Sequence, residues 1–362
     1  MRYFLLLLMI LALIGCSGNK NDSNPKNIVS TDYELSHLTL GISFPPVADE
    51  EQRDFSVSSL GELVVKYIRI GENWSFREPS QGDFIWSPLD DRINWAISHG
   101  YKILLTIQSN GPDWACGNIV NERSCVYKNN NHFKNYVNQL LQRYSDNIYK
   151  IQFGNEWQSK WWYAGNAVQF SDASNIVYEA IQTYSPTTKF VLGGFSAISL
   201  RYLAGCNGVV STFHDDDGSF YDQAYLDENC DSDPINMIRD RINYVLENTL
   251  YDEVDIHLYD DVEQWDEYYH NILSIVSKPV IVSEFGGPNT NLEPLTETYQ
   301  AQQLEKYIRK LDSLGISEGY YFTLVDGVTN NPAHSTSGLI SIEALVGKEA
   351  FQLFKKFSAK DI

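Results

Sequence analysis

Short β-rich runs alternate along the chain with longer segments in which apolar residues recur at helical spacing. The runs have the length of single strands and are bounded by polar or turn-forming residues, so they predict β-structure. Eight of them follow one another from residue 38 onward: Leu38–Ile42, Val64–Ile70, Lys102–Ile107, Tyr149–Phe153, Phe190–Gly193, Val254–Leu258, Pro279–Ser283 and Gly319–Thr323.

The intervening segments predict amphipathic helices. Four apolar faces stand out: Leu89, Ile93, Ala96 and Ile97; Phe133, Val137, Leu140, Leu141 and Tyr144; Ile176, Val177, Ala180, Ile181 and Tyr184; and Leu304, Ile308, Leu311 and Leu314. Ser171 is expected to cap the third of these helices and Gly315 to end the fourth. Strands that alternate with helices predict parallel strands joined by right-handed crossovers.

Eight such strand–helix units favour an α/β fold of the closed (β/α)8 TIM-barrel type over an open doubly wound sheet. The length of 362 residues is ordinary for one barrel with insertions. No glycine-rich phosphate loop follows the first strand, which argues against nucleotide binding. The chain shows no internal repeat and no second linker, so residues 37–362 are expected to form a single domain.

The residues before the barrel predict export. Arg2 precedes the almost wholly apolar run Tyr3–Ile14, which is too short to span a bilayer comfortably and is typical of a signal peptide. The run ends in Leu13-Ile14-Gly15-Cys16, which resembles a bacterial lipobox. Residues 1–15 are therefore predicted to be a lipoprotein signal peptide, and Cys16 the lipid-bearing first residue. An ordinary secretory signal with a chance Cys is the alternative.

Residues 16–36 are rich in Asn, Ser, Asp and Lys and are predicted to form a flexible linker. The expected location is the cell envelope, where the N-terminal lipid alone would anchor the protein to a bacterial membrane. Whether it faces the periplasm or the outer surface is left open.

The cysteine count agrees with an exported protein. Without Cys16, four of the five cysteines remain, and an even number in an oxidising compartment predicts two disulfides. Cys116 with Cys125 and Cys206 with Cys230 are the local pairings, but the other two connectivities stay open. A metal site is the rival interpretation; no CxxC or HxxxH spacing supports it, so no metal is expected.

Composition and charge exclude some functions. The apolar fraction of 43% and charged fraction of 20% are those of a globular protein. The formal net charge of -20 argues against nucleic-acid binding, because phosphates require clustered Lys and Arg. It also argues against an anionic glycan held over a broad surface. No organic cofactor is implied, and the oligomeric state is not determined.

Two glutamates lie at the ends of predicted strands. In barrels of this type the functional residues lie at the C-terminal strand ends, which share one mouth. Gly154-Asn155-Glu156-Trp157 follows the fourth strand, and Ser283-Glu284-Phe285-Gly286-Gly287 ends the seventh. Cleavage of a glycosidic bond requires two carboxyl groups, one to protonate the leaving oxygen and one to attack the anomeric carbon. For either Glu alone, a helix cap or a loop salt bridge is the alternative.

These residues resemble the clan of (β/α)8 retaining glycoside hydrolases that includes cellulase-like, xylosidase-like and β-galactosidase-like members. In that clan an Asn-Glu pair ends the fourth strand and a second Glu ends the seventh. The resemblance extends to Glu78–Trp86 with Leu89-Asp90, and to the turn Asn110–Trp114. It implies that Glu156 is the acid/base and Glu284 the nucleophile, with their carboxyl groups about 5–5.5 Å apart.

The same resemblance implies further substrate-binding residues. Arg69, at the end of the second strand, is expected beside Glu284, where it would keep the pKa of that carboxyl low. Asn155 is expected to bind the sugar 2-hydroxyl group. His257 and Tyr259 end the sixth strand, and Tyr259 is expected to orient Glu284. A structural ion pair for Arg69 and a core position for His257 are the alternatives.

Aromatic residues near the predicted mouth are candidates for stacking on sugar rings. Trp157 and Trp161 follow the acid/base directly, and Trp114 lies in the turn after the third strand. At least one Trp of the loop is expected to pack against the barrel instead. In many members of the clan, a Trp at the end of strand eight forms the base of the central sugar-binding subsite. Here Gly319–Thr323 contains no Trp, and Phe322 or a Tyr is expected to replace it.

The sequence thus predicts a retaining β-glycoside hydrolase that acts on an extracytoplasmic poly- or oligosaccharide. A non-catalytic glycan-binding lipoprotein on the same barrel and a transglycosylase are the alternatives. The sugar, the linkage and endo or exo action are not determined. The stretch from Cys206 to Cys230, which contains His214-Asp215-Asp216-Asp217-Gly218, is an insertion expected to wall the cleft. Its aspartates fit either a solvated loop or a calcium site.

Overall fold

Eight parallel strands close into a barrel in which each strand pairs with its neighbours in sequence, and the last strand pairs with the first. A computed structural model describes residues 33–121, 124–293, 295–327 and 334–359. The barrel strands are β1 (Thr39–Ser43), β2 (Tyr67–Glu72), β3 (Lys102–Ile107), β4 (Lys150–Phe153), β5 (Lys189–Phe195), β6 (Glu253–Tyr259), β7 (Val280–Gly286) and β8 (Glu318–Tyr321). This confirms the predicted (β/α)8 TIM barrel, and every predicted strand overlaps one of the eight.

The strand boundaries shift where the backbone turns sharply. The second strand begins at Tyr67 rather than Val64, because Val64 has a φ of 59° and completes the turn after the preceding helix. Inside the barrel, side chains of β3, β5, β7 and β8 meet in one apolar layer that contains Leu104, Val191, Ile281 and Tyr320. Gly41 makes room for this layer, since a Cβ at that position would lie 2.5 Å from Tyr320 Cδ1.

Helices surround the barrel. They are α1 (Glu50–Glu62), α2 (Trp74–Arg77), α3 (Ser87–Ser98), α4 (Asn130–Tyr144), α5 (Ala167–Tyr184), α6 (Ala197–Cys206), α7 (Gln223–Asn229), α8 (Asp233–Asn248), α9 (Trp265–Leu273), α10 (Glu297–Ser313) and α11 (Glu349–Ser358). The apolar faces of α3, α4, α5 and α10 supply buried core residues, as predicted. None of the helices in the described ranges is long and apolar enough to cross a membrane.

Two details of the helix predictions were wrong. Ile97 is 39% exposed, because Trp95 and Ala96 take the buried positions at the end of α3. Ser171 does not cap α5: the helix begins one turn earlier, where Asn166 and Gln169 form a reciprocal capping box. Ser171 lies buried within the helix and donates a hydrogen bond to the Asn248 carbonyl.

Two disulfides close the two local loops, which confirms the local pairings. Cys116–Cys125 joins the strands of a hairpin, Cys116–Asn121 with Ser124–Tyr127, that follows β3. Cys206–Cys230 closes the insertion after α6, which contains a second small hairpin, Phe213–His214 with Phe220–Tyr221. The predicted signal peptide, Cys16 and the predicted linker up to residue 32 lie outside the described residues.

The insertion contacts the loop after β7 and, through α6, the C-terminal end of β6. The side-chain amides of Asn289 and Asn291, in the loop after β7, both donate to the backbone carbonyl of Asp216. The buried Arg201 of α6 donates both to the His214 carbonyl and to the Tyr259 carbonyl at the end of β6. The Asp215 and Asp217 carboxylates accept backbone N–H groups of their own turn, from Asp216 and Ser219 respectively.

We predict that replacing both Cys206 and Cys230 by Ser lowers the free energy of unfolding by about 3 kcal/mol, because the bridge restricts the unfolded chain. The matched Cys116→Ser/Cys125→Ser variant should lose roughly 1 kcal/mol less, since its loop spans 9 rather than 24 residues. Chemical denaturation measures both values. Thiol titration of the denatured, unreduced protein should detect neither pair, and two or more free thiols would contradict the bridging.

Candidate active site

Glu156 stands on a strained turn directly after β4. Gly154 has a φ of 77° and Glu156 a φ of 45°, a left-handed conformation that costs energy for a residue with a side chain. The Glu156 N–H donates to the Gly194 carbonyl of β5, which holds the turn. Gly193 permits this close approach, because a Cβ there would lie 2.3 Å from the Phe153 carbonyl oxygen.

Glu284 lies in β7 and is held from two sides. Arg69 Nη1 of β2 donates to Glu284 Oε1 at 2.5 Å, and the Tyr259 hydroxyl of β6 donates to Oε2 at 2.8 Å. The structure therefore places Arg69 and Tyr259 beside Glu284, as the family resemblance implied. Burial raises the pKa of the Glu284 carboxyl group, but the positive charges of His257 and Arg69 and the two hydrogen bonds outweigh it, so the pKa lies below its ordinary value.

The two glutamates reach one another across the mouth of the barrel. An oxygen of the Glu156 carboxyl group lies within 4.8 Å of an oxygen of the Glu284 carboxyl group. Retaining glycosidases have carboxyl groups about 5–5.5 Å apart, whereas inverting enzymes leave about 6.5–9.5 Å for a water molecule. The separation thus fits direct attack by one carboxylate.

His257 bridges the two carboxyl groups. Its Nδ1 lies 2.9 Å from Glu156 Oε1 and 3.5 Å from Glu284 Oε2. Its Nε2 lies 3.2 Å from Asp255 Oδ2, two residues earlier on the same strand. Gly194 leaves the space for this pair, because a Cβ there would lie 2.2 Å from His257 Nε2.

The charges around His257 determine its protonation. Burial alone lowers the pKa of this imidazole, but the negative charges of Glu284 and Asp255, together with hydrogen bonds to Asp255 and Glu156, raise it to about 10. His257 is therefore an imidazolium at neutral pH. The pKa of Asp255 is lowered despite its complete burial, because His257 and Arg69 stabilise the carboxylate.

A buried hydrogen-bond network joins these groups beneath the mouth. Arg69 Nη2 donates to Gln152 Oε1 at 2.8 Å and to Asn155 Oδ1 at 2.9 Å. Gln152 Nε2 in turn donates to Asp255 Oδ2 at 2.6 Å. Because Arg69 fixes the Asn155 carbonyl, the Asn155 amide N–H groups remain as the donors that this residue can offer a substrate.

The cluster Glu156, His257 and Glu284 also brings three potential metal-ligand atoms together. Two features oppose a cation there. Arg69 already places a positive charge against Glu284, and an imidazolium has no lone pair to offer a metal.

The predicted tryptophans separate into different environments. The prediction that Trp157 binds substrate was wrong. Trp157 is 1% exposed, stacks on Phe170 and donates its indole N–H to the Gly193 carbonyl, so it packs the loop against the barrel. Trp161 is 56% exposed on the same loop. Trp114 is half-buried and donates to the Glu78 carbonyl, with its ring edge-on to Trp74.

Three aromatic residues around Arg69 and Tyr259 were not predicted as a group. The Phe44 ring lies 4.6 Å from the Arg69 guanidinium carbon, and Phe322 lies edge-on to both Phe44 and Tyr259. The buried His334 packs on the Tyr259 ring at 4.6 Å. Phe322 directly follows β8, where Phe322 or a Tyr was expected to replace the Trp of related enzymes. No local sequence motif marks Phe44 or His334.

Comparison with known proteins supports the barrel fold of this chain. No known family model and no curated protein matches the sequence. Among similar solved structures are the exo-β-1,4-mannosidase Op5Man5 from Opitutaceae bacterium strain TAV5, with a TM-score of 0.63, 14% identity and coverage of 92% of this chain and 62% of that one. A family 39 glycoside hydrolase from Bacteroides cellulosilyticus WH2 has a TM-score of 0.57, 13% identity and coverage of 92% and 65%.

A family 10 xylanase from Bispora sp. MEY-1, solved with xylobiose, has a TM-score of 0.61, 14% identity and coverage of 88% of this chain and 96% of that one. This chain spans 62% and 65% of the length of the first two structures. At such low identity the likeness establishes the barrel fold, and these neighbours are themselves glycoside hydrolases.

We predict that Asp255→Asn lowers the pKa of His257, because it removes a negative charge beside Nε2. The folded-state pKa of about 10 exceeds the ordinary 6.5, so this proton stabilises the fold fully below pH 6.5 and the contribution is lost as the pH rises towards 10. NMR titration of the His257 ring measures the shift. Unfolding free energy should fall less between pH 7 and 10 in Asp255→Asn than in the wild type.

The exposed Asp54→Asn in α1 is the matched control and should leave both readouts unchanged. An unchanged His257 pKa in Asp255→Asn would contradict the role given to Asp255.

Proposed function

We propose that the protein is a retaining β-glycoside hydrolase in which Glu156 is the acid/base and Glu284 the nucleophile. The observation that carries the proposal is the pair of carboxyl groups with oxygens within 4.8 Å, held in contrasting environments. The Glu284 side chain is 9% exposed and paired with a guanidinium, whereas the Glu156 side chain is 22% exposed at the mouth. Such a contrast separates the roles of two carboxyl groups.

In the first step a Glu284 oxygen attacks the anomeric carbon of the sugar. The bond from that carbon to the leaving oxygen breaks, and Glu156 gives its proton to that oxygen. Arg69 and Tyr259 keep Glu284 ionised and aim it, and they retain hydrogen bonds to the ester oxygens that form. The product of this step is a glycosyl ester of Glu284 with a free alcohol.

In the second step the Glu156 carboxylate takes a proton from water. The water oxygen attacks the anomeric carbon, the ester bond breaks and Glu284 returns to its ionised state. Two inversions give net retention of configuration. The loop after β4 must hold Glu156 in place through both steps, and buried Arg241 of α8 supports it by donating to the Trp157 and Gln158 carbonyls.

The charge balance of the buried cluster supports these roles. Three carboxyl groups, on Glu156, Glu284 and Asp255, face two cations, Arg69 and His257. A proton on Glu156 therefore brings the cluster to neutrality. When that proton leaves, the His257 N–H at 2.9 Å stabilises the negative charge that develops on Glu156.

The proposed substrate is an extracytoplasmic poly- or oligosaccharide, and the chemistry described needs no metal or organic cofactor. The proposed location is the cell envelope, with the chain anchored through lipid on Cys16. The lipobox-like Leu13–Cys16 supports this anchor, and mass spectrometry of the mature N-terminus tests it. An unmodified N-terminus would overturn the anchor and leave the catalytic proposal untouched.

We predict that Glu156→Ala keeps its ability to release dinitrophenolate, because this leaving group departs without protonation. Deglycosylation should then limit the rate, since no base activates water. Added azide needs no base and should raise turnover by about tenfold or more, within the roughly 10²–10⁴-fold effect of general acid–base groups. The product should be a β-glycosyl azide, identified by NMR.

Glu284→Ala is the matched variant and should lose turnover with every leaving group, because no ester can form. Azide rescue with an inverted product in Glu284→Ala, and none in Glu156→Ala, would reverse the two roles. Oligosaccharide binding without any wild-type hydrolysis would favour a glycan-binding protein, and transfer to an added sugar in place of water would favour a transglycosylase.

A further inference from the structure

A cavity opens beside the catalytic cluster, at the C-terminal ends of β1, β2 and β3. Its volume is about 430 Å³, within the range of sites that hold small molecules. Phe44 lines it and also covers the Arg69 guanidinium, so a single aromatic ring separates the cavity from the Arg69–Glu284 pair. A ligand in this cavity would therefore lie next to a sugar bound over Glu284.

The Phe44 backbone is held in an unfavourable conformation. Its φ of 50° is left-handed, which is rare for a bulky residue, and Pro45 and Pro46 follow it directly. The Phe44 N–H donates to the Arg69 carbonyl, which fixes the turn on β2. The fold thus maintains strain to place an aromatic ring between the cavity and the catalytic cluster.

The cavity lining has the two kinds of surface that a sugar ring requires. Phe44, Pro45, Pro46 and the 66% exposed Phe76 offer apolar surface for the C–H face of a ring. Gln108 offers a half-buried amide for which the described residues provide no hydrogen-bond partner. A mainly apolar concave surface with a few polar groups is typical of small-molecule sites.

The charged groups of the cavity are already paired. Glu72 is 1% exposed and lies 2.6 Å from Arg77 Nε and 2.5 Å from Arg92 Nη2. Arg77 also donates to the Ile85 carbonyl and Arg92 to the Gly71 carbonyl. These pairings make a rigid wall without a free carboxylate, which suits uncharged hydroxyl groups.

We propose that this cavity binds a second, uncharged sugar unit on the non-reducing side of the bond that is cleaved. The leaving group departs towards Glu156 after β4, whereas the cavity adjoins the nucleophile through Phe44. The enzyme would then release units of two or more sugars from a chain. This inference rests on the proposed glycosidase function and gives it a substrate of at least disaccharide length.

The test compares para-nitrophenyl β-glycosides of one and two sugars: xyloside with xylobioside, glucoside with cellobioside, and mannoside with mannobioside. For the accepted sugar, kcat/KM for nitrophenol release should be at least about tenfold higher with the diglycoside, equivalent to about 1.4 kcal/mol. The sugar product should be the intact disaccharide. Equal kcat/KM values, or release of single sugars from the non-reducing end, would overturn the subsite.

Gly71 allows the cavity itself to be probed. A Cβ at Gly71 would lie 3.4 Å from Phe44 Cε1 and 3.6 Å from Gln108 Nε2, so Gly71→Ala fits but fills space between these two side chains. Gly71→Val fills more and suits a strand. The ratio of kcat/KM for the diglycoside to kcat/KM for the monoglycoside should fall progressively from the wild type to Gly71→Ala to Gly71→Val.

Gly61→Ala is the matched control, since a Cβ there meets nothing within 4 Å, and it should preserve the wild-type ratio. A ratio in Gly71→Val equal to that of the wild type would overturn the proposal.

Binding to Glu284→Gln separates failure of the subsite from failure of the proposed function. Calorimetry with xylotriose, cellotriose and mannotriose, each against its monosaccharide, measures the cavity without catalysis. Tighter binding of a trisaccharide that Gly71→Val weakens, in a wild type that hydrolyses nothing, would retain the subsite and refute the hydrolase. Hydrolysis by the wild type, together with equal binding of trisaccharide and monosaccharide to Glu284→Gln, would retain the hydrolase and refute the subsite.

Discussion

A single buried cation organises the centre of this barrel. Arg69 is fully buried, and a guanidinium in such a place must have its N–H groups satisfied. It donates to Ser43 on β1, Thr106 on β3, Gln152 on β4 and Glu284 on β7. Side chains from five strands are thereby fixed around one positive charge, and that charge helps to keep the Glu284 carboxylate ionised.

The second cation explains how two carboxyl groups can lie so close together. Glu156 and Glu284 would repel one another if both were charged and unscreened. His257 lies between them, and Asp255 behind it keeps the imidazole protonated. The arrangement makes the charges of Glu156 and Glu284 interdependent, because both carboxyl groups lie close to His257 Nδ1. In the proposed mechanism, the loss of charge on Glu284 when its ester forms changes the electrostatic environment of Glu156 through His257.

The sequence predicted the existence and the order of the barrel strands well, because both depend on local pattern. The eight apolar runs can be recognised in the sequence without knowledge of any contact. The same is true of Glu156 and Glu284, each of which lies at the end of one of these runs. The same holds for Cys116–Cys125 and Cys206–Cys230, whose short loops made the local pairings natural. Ile97 and Ser171 were misplaced because helix ends depend on capping and packing that periodicity does not encode.

What could not be predicted depends on contacts between distant residues. Asp255 looked like one more polar residue in a strand, and only the fold brings Gln152 and Ser283 to it. Phe44 follows the first strand without a motif, and its position over Arg69 depends on a left-handed backbone. Trp157 was a candidate sugar platform by its position in sequence, yet Phe170 and the Gly193 carbonyl hold it in the core.

Trapping the covalent intermediate tests the assignment of Glu284 most directly. An activated glycoside with fluorine in place of the hydroxyl group next to the anomeric carbon should form the ester quickly and hydrolyse it slowly. Mass spectrometry of the digested wild type should then find one fluoroglycosyl group on the peptide that contains Glu284, and none in Glu284→Ala. A label on Glu156, or steady release of the leaving group with no labelled peptide, would contradict the double-displacement mechanism.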